Sequence, residues 1–261
     1  MEARAAEIES IGVKGLAIMP YRRTYLLPAT YQLHPNEAVF SRQAADARPQ
    51  NVEAKFQISL QFPLWRNIAD SRAHLYAAYT QLSLWQAYNG GASSPFRDTT
   101  YEPEAMLIVP CRFPVWGLTH RAFLAGFAHQ SNGQGAVGGL SRSWNRLYVR
   151  SILTRGPLVL DLRGWWRVPQ TSDENPDISS YMGYGDLAAS YRWGRQAFSA
   201  MWRNNLSTPR NRGAIELGWS YPFVYGLRWY VQYWNGYGET LVDYNHPTER
   251  IGAGILLGEW L

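Results

Sequence analysis

The chain has 261 residues, enough for one large β domain or two smaller ones, and its net charge of +5 carries no Lys/Arg blocks, so nucleic-acid binding has little support. It holds 12 Trp and 17 Tyr with only 17% charged residues, yet no run of eighteen apolar residues, which excludes a membrane-spanning helix. This profile suits a membrane β-barrel, where only alternate residues meet lipid; an aromatic soluble β-sandwich is the competing class. Cys111 is the single cysteine, so no internal disulfide can form.

Residues 1–23 show no clear period and read as a mobile or periplasmic leader, and Met1-Glu2-Ala3-Arg4 lacks the charged-then-apolar order of a signal peptide. Residues 24–261 read as a single barrel domain. A first strand is predicted over 24–33, with Pro28 suited to an edge or bulge, and a polar Ala/Pro-rich loop over 34–53. Residues 55–64 alternate, Phe56, Ile58, Leu60 and Phe62 against Lys55, Gln57, Ser59 and Gln61. Strands follow at 75–86, 101–109 and 121–128, with a polar loop through Ser93-Ser94-Pro95.

The clearest strand is 158–168. Leu158, Leu160, Leu162, Trp166 and Val168 share one face; Asp161, Arg163 and Arg167 share the other, as in the filled interior of a narrow barrel. Residues 181–193 repeat the pattern, with Asp186, Ser190 and Arg192 opposite Leu187, Ala189 and Tyr191. Further strands are predicted at 198–202, 214–221, 227–233 and 250–257. Short turns on one side and long loops on the other fit a transmembrane antiparallel β-barrel of about twelve strands, all-β, with both termini on the same side. Trp65, Trp85, Trp116, Trp165, Trp193, Trp229 and Trp260 fall near strand ends, as interfacial girdles do.

Candidate chemistry lies at Gly126-Phe127-Ala128-His129-Gln130-Ser131-Asn132-Gly133 and at Ser141-Arg142-Ser143-Trp144-Asn145-Arg146. In an extended strand His129 and Ser131 point to one face, placing a base beside a hydroxyl. Asn145 orients the imidazole if the two runs pair as a hairpin. His129 and Ser131 share parity with Phe123, Ala125 and Phe127; Asn145 shares parity with Leu147, Val149, Ser151 and Leu153, with Tyr148 and Arg150 opposite. The apolar face of a barrel meets lipid, so all three should stand outside it, near the long-loop rim, a position that suits a lipid ester.

In these segments the chain resembles outer-membrane phospholipase A, the calcium-dependent lipase family of Gram-negative outer membranes. The matches are His129-Gln130-Ser131-Asn132-Gly133 and Ser141 to Tyr148, with Lys55-Phe56-Gln57, Phe62-Pro63-Leu64-Trp65-Arg66, Tyr79-Thr80-Gln81, Ser93-Ser94-Pro95-Phe96-Arg97, Tyr101-Glu102-Pro103, Asn175-Pro176-Asp177-Ile178, Tyr181-Met182-Gly183-Tyr184 and Gly236-Tyr237-Gly238-Glu239. They run in family order from about Lys55 onward. Gln130 and Gln134 stand where an acidic and a basic residue are usual, and the link from Gln134 to Leu140 is longer by two.

The resemblance implies a phospholipase of A1/A2 type acting on phospholipids and lysophospholipids at the outer leaflet of the outer membrane. It implies Ser131 as nucleophile, His129 as base and Asn145 as orienter, with the Ser131 and Gly133 backbone N–H groups meeting the oxyanion. It implies a Ca2+ site of Ser141, the Gln134 carbonyl and Ser93 of a second subunit, in a homodimer with Gln81 at its interface. The residues themselves also offer an acidic loop, Asp173, Glu174 and Asp177, as a calcium holder in a monomer or as solvated surface. A non-catalytic barrel, porin-like or a scaffold, is the alternative function; a soluble carbohydrate-binding protein is third. Charges filling the lumen count against a wide pore.

Overall fold

A computed structural model describes residues 18–44, 47–135 and 138–258. Twelve long antiparallel strands close on themselves: β2 (Thr24–Gln32), β3 (Val52–Trp65), β4 (His74–Trp85), β5 (Phe96–Val115), β6 (Leu118–Ser131), β7 (Ser143–Arg155), β8 (Leu158–Val168), β9 (Gly185–Trp193), β10 (Gln196–Asn204), β11 (Gly213–Pro222), β12 (Arg228–Gly236) and β13 (Thr248–Gly258). Each pairs with its successor, and β13 returns to β2 from Arg250↔Gln32 to Gly258↔Thr24, leaving no long sheet edge.

The two rims differ, as expected. One carries tight links such as Trp116–Gly117, where both residues have positive φ (48° and 79°), the requirement of a type I′ hairpin turn. The other carries loops 33–51, 86–95, 132–142, 169–184, 205–212 and 237–247. The faces also separate by parity. Leu147, Val149 and Trp166 stand 54%, 65% and 72% exposed on the outer wall, while the alternate Tyr148, Arg146 and Arg150 are buried in the lumen.

Ion pairs fill the lumen in layers. Glu239 bridges Lys55 Nζ at 2.8 Å and Arg250 Nε at 2.9 Å. Glu53 accepts from Arg97 at 2.7 Å and pairs with Arg250 at 2.8 Å, and Arg97 also meets Asp243. Deeper in, Glu102 bridges Arg22 and Arg146, both at 2.9 Å, and Asp186 pairs with Arg163 at 2.6 Å. Buried charges must be paired to be tolerated, and these pairs leave a cavity of about 280 Å³ between them.

Four expectations change. The leader boundary at residue 23 moves inward. Met19–Pro20 (β1) pair with β3 at Gln61 and Leu60, extending the line of β2. Between β1 and β2 the chain turns into the lumen, where buried Tyr21 donates to Glu104 and Arg22 meets Glu102 and Glu104. These side chains serve the lumen, so the stretch carries no strand period. Residues 1–17 lie outside the described residues. The 34–53 loop holds a helix, α1 (Glu37–Gln43), N-capped by Asn36, which also donates to Asp243 in the lumen mouth. Arg167 and Arg192 do not plug the barrel: Arg167 reaches Asp173 on the long-loop rim, and Arg192 is exposed beside a short turn. Strand β9 starts only at Gly185, because Ser179–Met182 (α2) form a helical turn that tucks Met182 inward.

Candidate active site

The hairpin of β6 and β7 sets His129 directly opposite Asn145, and Ser131 opposite Ser143. His129 Nδ1 lies 2.7 Å from Asn145 Oδ1. An amide oxygen can only accept, so Nδ1 carries the proton and Nε2 keeps its lone pair. Ser131 stands two residues further on the same face and also pairs with Tyr101 of β5. Among the described residues no hydrogen bond joins Ser131 Oγ to His129; catalytic contacts of this kind commonly tighten only with substrate. His129, Ser131 and Asn145 are half-buried, directly beyond the lipid-facing Phe127 and Leu147.

The lumen side of the same hairpin is locked. Trp144 Nε1 donates to Gln130 Oε1 at 2.6 Å, and the Arg146 guanidinium lies 4.2 Å from the Trp144 ring while pairing with Glu102. A residue between strands whose inner face is pinned in this way cannot slip register without exposing every alternate side chain to the wrong side.

Beyond Ser131 the loop is organised by buried Asn132. Its Oδ1 accepts from Arg142 N at 2.9 Å and its Nδ2 donates to Leu140 O at 2.8 Å. Asn175 reaches in from loop 169–184 and accepts from Ser143 N at 3.1 Å. Both asparagines fall within the matched motifs, but a loop asparagine is too common a signal to single out from sequence. Gly133 has φ +64°, and a Cβ there would sit 2.9 Å from the Tyr101 ring, so the residue after Asn132 has no room for a side chain.

The expected calcium residues separate into two groups. Ser93 caps its turn at φ +59° and is exposed. Gln134 is exposed and Ser141 half-buried, both in the loop that Asn132 holds, and neither serine hydroxyl makes a hydrogen bond among the described residues. Uncommitted hydroxyl and carbonyl oxygens are the donor type calcium takes, but three fall short of its six to eight ligands. The acidic loop does not gather. Asp173 pairs with Arg167 at 2.6 Å, Asp177 accepts from Tyr244 OH at 2.5 Å, and Glu174 is exposed. Among the described residues, no three His, Cys, Asp or Glu side chains cluster as a metal site. Gln81 lies half-buried on the outer wall, accepting from Tyr79 OH at 3.1 Å and donating to Ser83 Oγ at 3.2 Å.

A closed twelve-stranded barrel with an apolar outer wall defines an outer-membrane protein, and the family model "Phospholipase A1" matches residues 3–257. The chain belongs to the phospholipase A1 family. It is 40% identical to phospholipase A1 of Escherichia coli K12 over 242 residues, 93% of this chain and 82% of the relative. Outer membrane phospholipase A from E. coli superposes with a TM-score of 0.88 at 37% identity, covering 97% of this chain and 98% of the other; an active-site asparagine-to-alanine mutant of it gives 0.87. The Salmonella typhi outer membrane phospholipase dimer with bound calcium gives 0.87 at 39% identity, covering 93% of each chain.

Proposed function

We propose that the chain hydrolyses acyl esters of phospholipids and lysophospholipids at the outer leaflet, with Ser131 as nucleophile, in a calcium-dependent homodimer. The observation that carries this is the 2.7 Å His129–Asn145 bond on the lipid-facing wall, two residues from Ser131. Ser131 Oγ attacks the ester carbonyl. His129 Nε2 takes the hydroxyl proton and passes it to the leaving alcohol, and water then releases the acyl group by the same steps. Asn145 Oδ1 holds the Nδ1–H throughout, keeping the ring in the useful tautomer. The Ser131 and Gly133 N–H groups meet the oxyanion, and the absent side chain at Gly133 leaves that space open.

A neutral Asn145 stabilises imidazolium less than a carboxylate does, so added positive charge is needed nearby. Ser141, the Gln134 carbonyl and a second subunit's Ser93 would hold calcium, which supplies that charge when bound. Within one chain the ligand set is short, which supports sharing between two. The calcium-bound dimer of the S. typhi relative and the active-site asparagine of the E. coli one support the same reading. Glu174 is left out, because its neighbouring carboxylates are already engaged.

The test is fatty-acid release from phospholipid micelles with and without chelator, together with labelling by a serine-reactive sulfonyl reagent. Release should need calcium and the label should map to Ser131. Full release by Ser131→Ala rules the assignment out.

A further inference from the structure

The opposite end of the same hairpin carries a second nucleophile, imidazole and oxygen in line. His120 Nδ1 lies 2.8 Å from Cys111 Sγ, and His120 Nε2 lies 2.6 Å from Ser151 Oγ. His120 is on β6, nine residues before His129; Ser151 is on β7, six residues after Asn145; Cys111 is on β5. Register shifts in β5 between Pro110 and Phe113, and in β6 between His120 and Ala122, bring Cys111 and His120 onto one side of the wall.

The imidazole is 3% exposed and held between rings: Phe113 stacks on it at 4.9 Å and 11°, and Phe123 lies 4.0 Å away. Phe113 and Phe123 are themselves exposed toward lipid, and Cys111 and Ser151 are half-buried. Nine residues at about 3.3 Å each, tilted by about 40°, put His120 roughly 23 Å from His129 along the barrel axis. That is close to the full height of an apolar band of about 25 Å. The cluster therefore sits at the other interface, on the short-turn side, where glycerol esters of the inner leaflet lie.

We infer that Cys111, His120 and Ser151 form an S-acylation site that takes acyl groups from glycerol esters of the inner leaflet. With the thiol donating to Nδ1, the Nε2–H donates to Ser151 Oγ, so Ser151 is a positioning residue for the ring. His120 Nδ1 takes the thiol proton as Sγ bonds to the ester carbonyl carbon. The bond from that carbon to the glycerol oxygen then breaks, and the same proton passes from His120 to that oxygen. The products are a Cys111 thioester and a lysophospholipid, with no change of oxidation state.

The test uses full-length Ser131→Ala protein, so that Ser131 chemistry is absent, in micelles of a phospholipid of defined chain length. Intact-mass and peptide mass spectrometry should find one acyl group on Cys111, removed by neutral hydroxylamine and absent in Ser131→Ala/Cys111→Ala. Adding His120→Gln should lower the adduct yield at a fixed time by about a hundredfold, the low end of a general-base contribution. Folding is checked by the migration of unheated samples. If the His120 variant does not fold, the Ser151 variants decide: Ser151→Ala lowers the yield and Ser151→Thr restores it. A folded protein without adduct, or equal yields with and without the His120 or Ser151 groups, overturns the inference.

Discussion

Asn145 presents one acceptor, at 2.7 Å, to one imidazole nitrogen. Removing it frees the ring to take the wrong tautomer, in which Nε2 holds the proton and cannot accept another. Asn145→Ala should therefore lower kcat by about 30- to 1,000-fold, on the order of 2–4 kcal/mol, with KM little changed. Steady-state kinetics on folded protein checks this; a shift confined to KM would argue for a binding role. Gly133 makes a second case. A methyl there meets the Tyr101 ring and a positive φ together, so Gly133→Ala should cut activity by distorting the Ser131–Gly133 backbone. Tyr101→Ala, which opens the space, should recover part of the loss in Gly133→Ala, read as a double-mutant cycle on kcat.

Loop 132–142 and loop 237–247 depend on buried polar groups of different kinds. Asn132 ties its loop through Arg142 N and Leu140 O, with no partner in the strands below. Asn132→Ala should thus weaken hydrolysis and raise the calcium requirement while leaving barrel unfolding unchanged within about 1 kcal/mol. Glu239 instead ties its loop to the wall. Burial on its own raises a carboxyl pKa, but Arg250 and Lys55 overcome this and hold Glu239 down at about 2, from an ordinary 4.5. A carboxyl depressed on folding stabilises the protein above its unfolded pKa, and that stabilisation fades as pH falls from 4.5 through about 2. The wild-type thermal midpoint should fall across this window. Glu239→Gln, already weaker at neutral pH because buried Lys55 loses its carboxylate partner and Arg250 is left with Glu53, should show a shallower fall. Parallel slopes for the two proteins would remove Glu239 as the cause.

For the whole molecule, the outer wall is the surface a second copy must use, because a closed barrel has no edge to offer. Gln81 is satisfied within its own chain by Tyr79 and Ser83. An amide exchange across a dimer therefore trades one set of hydrogen bonds for another, and the net gain is about 1 kcal/mol or less in a membrane. Gln81→Ala should weaken association in detergent by no more than about fivefold, measured by analytical ultracentrifugation with calcium present. Chelation should weaken it in wild type and in the variant alike, if Ser93 closes the calcium site of a partner. Full hydrolysis by a demonstrably monomeric wild type would end the dimer requirement.

Strand periodicity, the parity of His129, Ser131 and Asn145, and the inward charges of Asp161 and Arg163 are local properties. They were legible in the sequence because a strand's two faces alternate whatever it pairs with. The twelve strands, the closed barrel and the outward position of these three side chains follow from them. Four features needed the tertiary structure. Tyr21 and Arg22 enter the lumen because Glu102 and Glu104 wait there, on a strand some eighty residues away. Asn132 shapes loop 132–142 through the backbone of Arg142, and Asn175 reaches Ser143 N only when loop 169–184 folds over it. The acidic run of Asp173, Glu174 and Asp177 is dispersed by Arg167 and Tyr244, which its spacing gives no hint of. Cys111, His120 and Ser151 come from three strands, aligned by two register shifts. Alternation along one strand carries no information about bulges in its neighbours, so contacts that depend on cross-strand register are decided only when the barrel closes.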